Sequence, residues 1–249
     1  MADRIRMSRA AELTRFYSLL DHLEQSIGGK RLLADFQKFR DWPQRGVYFF
    51  FEASEHRIGN SHVPRIVRVG THALGAGSRS TLSQRLRNHW GSSSGGGNHR
   101  GSIFRLLVGQ ALLAKGGLST CQSWGNKSDA AKAAFALGIV PQALKADEVH
   151  VEQAVTRYIG AMPFLWLDVD DDPGPDSLRA MIERNSIALL SNYERLTYDP
   201  ASGDWLGKHS NRPLVRNSGM WNQRHVTEAH EPAFLDIFEK LIIGGATQK

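Results

Sequence analysis

Apolar residues recur along this chain with two periods, and the switches between them mark its elements. Leu13, Phe16, Leu19, Leu20 and Leu23 fall at helical spacing and predict an amphipathic helix from Ser8 to Ser26, stopped by Gly28-Gly29. A second, short helix is predicted from Arg31 to Phe39, ending before Pro43. The period then changes. Val47-Tyr48-Phe49-Phe50-Phe51 is a β-prone run, Ser54 to Pro64 is polar and reads as a loop, and Ile66-Val67-Arg68-Val69 reads as the return strand of a hairpin. Beyond a Gly/Ser loop from Gly75 to Ser80, helices are expected over Thr81 to Trp90 and Ser102 to Ala114, separated by the glycine-rich run Gly91 to Gly97. Lys115 to Lys145 is less regular and reads as an insertion with a small Ala-rich helix. A helix from Val149 to Tyr158, a strand from Phe164 to Val169, an acidic turn from Asp171 to Asp176 and a helix from Ser177 to Leu190 follow. The tail from Asn192 is polar, rich in Trp and Asn, and closes on a helix from Pro232 to Ile243.

With 249 residues, 41% hydrophobic and 22% charged, the chain suits one elaborated domain or one domain with appendages. No apolar run approaches the length of a membrane span. The basic start, Met1 to Arg9, is not followed by an apolar core, so no secretory signal is expected. Cys121 is the one cysteine, which excludes an intrachain disulfide and a cysteine zinc cluster and points to a reducing compartment, cytoplasm or nucleoid. The net charge of +6 favours an anionic partner. Placement sharpens this: Arg65, Arg68, Arg79, Arg85, Arg87, Arg100 and Arg105 fall within one stretch of about forty residues.

Alternation puts Val47, Phe49 and Phe51 on one face of the first strand and Tyr48, Phe50 and Glu52 on the other. In the second, Val67 and Val69 share a face, opposite Ile66, Arg68 and Gly70. The two strands can thus present Tyr48 and Arg68, although a core tyrosine with a satisfied hydroxyl is the commoner case. Arg85 and His89, four apart on a helix, project from one side; the fork suits phosphate oxygens and the imidazole can donate or shuttle a proton. A solvated helix face is the plain alternative. Glu183 has Ala180, Ile187 and Leu190 as helical neighbours, so it borders an apolar stripe where a carboxylate needs a partner, either a hard cation or an arginine such as Arg179 or Arg184. The run from Gly97 to Arg105 joins a loop to a helix start, and His99, Arg100, Ser102 and Arg105 there could form a phosphate-binding corner or simply cap the helix. The acidic turn around Asp170, Asp171 and Asp172 reads as solvated.

In this order, the elements resemble the GIY-YIG nuclease superfamily over Gly46 to Asn192. Gly46-Val47-Tyr48 resembles the GIY element, and Arg68-Val69-Gly70 stands where the YIG element belongs, with Arg68 in place of its tyrosine. Arg85 matches the family's arginine, His89 the histidine that restriction-type members carry one turn later, and Glu183 the metal-binding glutamate. Tyr158-Ile159-Gly160 is a literal match too far along the chain to serve. The family's asparagine could be Asn192 or Asn222.

The resemblance implies an α/β fold: a small three-stranded, mainly antiparallel sheet flanked by helices. A helical extension would span residues 1–44, the nuclease domain 45–195 with an insertion at about 115–147, and a C-terminal extension 196–249. It further implies single-metal hydrolysis of DNA phosphodiesters, with Glu183 anchoring Mg²⁺ or Mn²⁺ and Tyr48 helping to deprotonate the attacking water. Arg85 would stabilise transition-state charge, His89 would position or protonate, and Arg68 would act as a second phosphate clamp. A DNA-binding module that kept the fold and lost catalysis is the competing expectation, and an RNA nuclease a third. Double-stranded DNA is the expected partner, and a homodimer would suit a two-fold target.

Overall fold

The computed structural model describes residues 8–126 and 129–246. The basic start through Met7, Lys127 and Ser128 of the predicted insertion, and residues 247–249 lie outside the described residues.

Helix α1 (Arg9–Ser26) begins where Ser8 Oγ accepts the Ala11 N–H, and it buries the predicted apolar stripe. The expected helix over 31–39 is instead a two-residue strand β1 (Arg31–Leu32) and a 3₁₀ turn, Leu33–Lys38. Leu33 and Phe36, three apart, both point inward, which suits the tighter turn. Strands β2 (Gly46–Arg57) and β3 (Asn60–Gly70) run well past their apolar cores into the predicted polar loop. The extension survives because its charges are matched: Arg65 pairs with Glu55 at 2.7 Å in the interior and donates to the Gly219 carbonyl. Those partners lie far apart in sequence, so local polarity misled.

Antiparallel pairing sets Tyr48 opposite Gly70, Phe50 opposite Arg68 and Phe51 opposite Ile66, leaving Val67 as an extra residue. This bulge corrects the expectation that Val67 and Val69 share a face. Ile66 and Val69 enter one core, Val67 the other. Strand β4 (Pro163–Asp168) pairs antiparallel with β2, and the sheet order is β1-β4-β2-β3, four strands where three were expected.

Helices α2 (Leu82–Trp90), α3 (Ile103–Lys115), α4 (Ala130–Ala136) and α5 (Pro141–Gly160) follow the hairpin, with α6 (Leu178–Leu190), α7 (Pro213–Ser218) and α8 (Phe234–Ala246) after β4. Helix α5 starts at Pro141 rather than Val149, its proline in the first turn where the missing N–H costs nothing. The sheet is covered on both sides. Val47, Phe49, Phe51, Leu165 and Leu167 meet residues of α1, α6 and α8. Tyr48, Phe50 and Phe164 meet residues of α2, α3 and α5 together with Trp205 and Trp221 of the tail. Among the described residues, no helix is long and apolar enough to cross a membrane.

Candidate active site

Tyr48 lies on the β2 face that packs on α2 and α3, wholly buried. Its phenol crosses the opposite residue, Gly70, so closely that a Cβ there would fall 2.2 Å from the hydroxyl oxygen. At the start of β2 a Cβ on Gly46 would meet the Leu167 carbonyl oxygen at 2.4 Å. Both glycines are therefore set by close approach rather than by backbone dihedrals.

Helix α2 opens with a capping box, Thr81 to Gln84, which fixes the turn that carries Arg85 and, one turn on, His89. The Tyr48 hydroxyl meets His89 Nε2 at 2.8 Å, and His89 Nδ1 meets Ser102 Oγ at 2.7 Å. Burial, with Arg85, Arg68 and Arg105 nearby, holds the His89 imidazole well below its ordinary pKa, so the ring is neutral. Ser102 also caps α3 by accepting the Arg105 N–H. A buried chain of hydroxyl, imidazole and hydroxyl thus ties β2 to α2 and α3.

Beside this chain a cleft of about 600 Å³ opens among β3, α2, α3, α6 and the tail, walled by Arg68, Thr71, Arg85, Glu183, Asn222, Arg224 and His225. Arg68 donates to the Trp221 carbonyl at 2.8 Å and lies over the Phe104 ring, and its Nε has no partner. Burial pulls its guanidinium below the ordinary value, while Tyr48 and Glu183 act to raise it. Arg85 Nε is likewise buried and without a partner. Glu183 accepts the Thr71 N–H at 3.2 Å. Burial pushes its carboxyl above the usual range, against the opposing pull of Arg68, His225 and Arg85.

A carboxylate, two arginines and a tyrosine–histidine pair are thus gathered by a glycine-bounded hairpin and the helices α2 and α6 that follow it. A family model described as the GIY-YIG domain matches residues 7–248. The chain belongs to the GIY-YIG family. No curated protein and no solved structure matches it. GIY-YIG proteins are nucleases, and the match takes in α1 and α8 as well as the hairpin.

Within this GIY-YIG chain, the corner expected around residues 97–105 is committed internally. Arg105 is fully buried and donates to Glu152, to the His89 and Trp90 carbonyls and to Thr156. Arg100 grips Glu148 with both ends of its fork at 2.7 Å. His99 binds Glu152 through Nδ1 at 3.0 Å and stacks on Trp124. A cavity of about 780 Å³ opens beside them, walled by Asp129, Glu148 and Glu152 as well as Arg100 and Lys145. Asn192 does not wall the cleft, and its amide bonds both backbone atoms of Tyr198. Asn222 does reach the cleft wall, with its amide bonded to the Val69 N–H and carbonyl in the manner of an extra strand residue.

Sequence reading missed Thr71, Arg224 and His225. The tail run Trp221-Asn222-Gln223-Arg224-His225 held an amide, a cation and an imidazole, but nothing local placed it against β3. The nearest carboxylate neighbours also differ from expectation: Arg179 pairs with Asp171 and Arg184 with Glu228, so neither serves Glu183.

Proposed function

We propose that this GIY-YIG chain is a metal-dependent endonuclease that hydrolyses phosphodiester bonds in DNA at the Glu183 cleft. One observation carries the reading. An arginine whose Nε is buried with no hydrogen-bond partner among the described residues, Arg85, and a half-buried carboxylate, Glu183, wall the same cleft. A phosphate group and a cation together would satisfy both.

The donor set fits a cation shared with substrate. No group of three His, Cys, Asp or Glu side chains able to hold a metal exists among the described residues. Mg²⁺ and Mn²⁺ favour oxygen donors, and Mg²⁺ is commonly held by one or two carboxylates plus water and substrate phosphate. Bound at Glu183, such an ion would polarise a phosphoryl oxygen as a Lewis acid. Arg85 and Arg68 would hold the phosphate and oppose charge building on its oxygens. The chain Tyr48–His89–Ser102 fixes the phenol and the imidazole behind the cleft. Thr71 orients the carboxylate through its N–H.

A second reading has its own support: Tyr48 is fully buried and does not wall the cleft, whereas Arg68 does. A DNA-binding module with impaired catalysis would look the same. Nicking of supercoiled plasmid with Mg²⁺ or Mn²⁺ separates the two. Loss of cleavage in Glu183→Ala and Arg85→Ala, and a strong fall in Tyr48→Phe, are expected of the nuclease. Salt-sensitive DNA binding by all of these proteins, with no metal-dependent nicking by the native chain, favours the binding module.

A further inference from the structure

The tail delivers a histidine to the cleft in a constrained pose. Trp221 donates its N–H to the Val67 carbonyl at 2.7 Å, and Asn222 bonds both backbone atoms of Val69, so the segment is pinned along the outer edge of β3. Four residues on, the wholly buried Val226 pins it again, its carbonyl accepting from Ser191 Oγ at 2.6 Å. Between these anchors His225 has a φ of 64°, a left-handed conformation that is uncommon for a residue with a Cβ.

Its ring is oriented from behind. His225 Nδ1 lies 2.8 Å from Glu228 Oε1, and Arg184 Nε donates to the other carboxylate oxygen. The Glu228 carboxylate accepts from both sides, so Nδ1 is the donor towards it. Nε2 is then the ring nitrogen left to bind a cation, and His225 walls the same cleft as Glu183. A carboxylate behind one ring nitrogen with the other left as a ligand is the arrangement found around metal-binding histidines.

We propose that His225 is the second protein ligand of the cation that Glu183 anchors, binding it through Nε2. This rests on the metal-dependent reading above and adds one nitrogen donor to its all-oxygen set. Glu228 is then a positioning residue. Imidazole favours first-row transition ions over Mg²⁺, so the site should bind Mn²⁺ more tightly than Mg²⁺.

The test is Mn²⁺ titration of the full chain with a non-cleavable phosphorothioate duplex, read by pulsed electron paramagnetic resonance for ¹⁴N coupling. Nitrogen coupling is expected in the native chain and lost in His225→Asn, a residue that tolerates positive φ. Mn²⁺ affinity should fall about tenfold or more, with a smaller fall in Glu228→Gln, which keeps an acceptor oxygen. Bound Mn²⁺ without nitrogen coupling, or unchanged affinity in His225→Asn, overturns the assignment. Plasmid nicking on the same preparations separates the two claims. Cleavage that needs Mn²⁺ and Glu183 but is indifferent to His225 removes the histidine alone; absence of metal-dependent cleavage and of Mn²⁺ binding in the native chain removes both.

Discussion

Replacing Gly70 by alanine tests the close contact on which the hairpin end of the site depends. The added Cβ would sit 2.2, 2.4 and 2.7 Å from the Oη, Cζ and Cε2 atoms of Tyr48. Carbon contacts relax at about 3.5 Å, so the end of the ring must shift by roughly 1 Å. Little room exists for that, because Tyr48 is 0% exposed and its ring packs edge-on against Phe50 and His89. Overpacking of this kind costs about 1–3 kcal/mol. Pulling the phenol off His89 strands a buried polar group, adding about 1–3 kcal/mol. The two together come to about 2–6 kcal/mol, less up to about 1 kcal/mol that alanine recovers by restricting the unfolded chain. At this chain length each kcal/mol moves Tm by about 2–4 °C, so the fall should be on the order of 5–15 °C. The assay is denaturant and thermal unfolding of Gly70→Ala, Tyr48→Leu and the double variant, since leucine lacks all three clashing atoms. The alanine penalty should shrink to under about 1 kcal/mol in the Tyr48→Leu background. An equal penalty in both backgrounds would refute the steric argument.

Glu183→Gln should stabilise the fold by about 1 kcal/mol at pH 8 and by nothing measurable at pH 4. The native carboxyl titrates above its unfolded value, so ionising it costs stability as pH rises through that window, and a gain that is the same at both pH values would contradict this. His89 has the opposite sign: its native pKa is depressed, so the unfolded chain takes up the proton first below pH ~6.5 and stability falls as pH drops. His89→Gln should flatten that limb in unfolding measured from pH 7.5 to 5. Arg105→Met should cost about 3–5 kcal/mol by removing the arginine partner of the buried Glu152 and leaving it only His99, while the salt slope of DNA binding stays unchanged. A reduced slope with native-like stability would make Arg105 a phosphate contact after all. Arg68→Gln is expected to tighten Mn²⁺ binding to the free chain severalfold and weaken DNA binding, both measurable by titration calorimetry; unchanged Mn²⁺ affinity would show that the charge is not felt at Glu183.

The parts legible in the sequence were those with a local cause. The α1 stripe, the β2 run and the capped helix carrying Arg85 and His89 all follow from spacing and punctuation. What escaped was set by distant partners. The hairpin beyond Phe51 reads as loop until Glu55 and Arg65 find each other and the tail around Ser202 and Gly219. The run from His99 to Arg105 reads as phosphate-binding because arginine beside glycine at a helix start has that chemistry. Only α5, with Glu148 and Glu152 one turn apart, supplies Arg100 and Arg105 with ion-pair partners inside the protein. His225 was invisible for the same reason: its place depends on backbone bonds from Trp221 and Asn222 to β3.

Arg68 changes the electrostatics of the cleft as well as its outline. With Arg85 and Arg224 it sets three guanidinium groups against one carboxylate, and both buried members of that balance are perturbed in the direction of losing charge. A phenol in the same place would leave Glu183 easier to share with a divalent cation before DNA arrives. With Arg68 present, the proposed cation would meet a repulsive neighbour until a phosphodiester supplied negative charge to both. Each ligand then improves the site for the other, and linkage requires the effect to be mutual: DNA must tighten Mn²⁺ by the factor by which Mn²⁺ tightens DNA. On the proposed metal-dependent reading, Arg68 would thus make metal binding depend on substrate and would guard the site from binding a metal ion when no strand is there to cut.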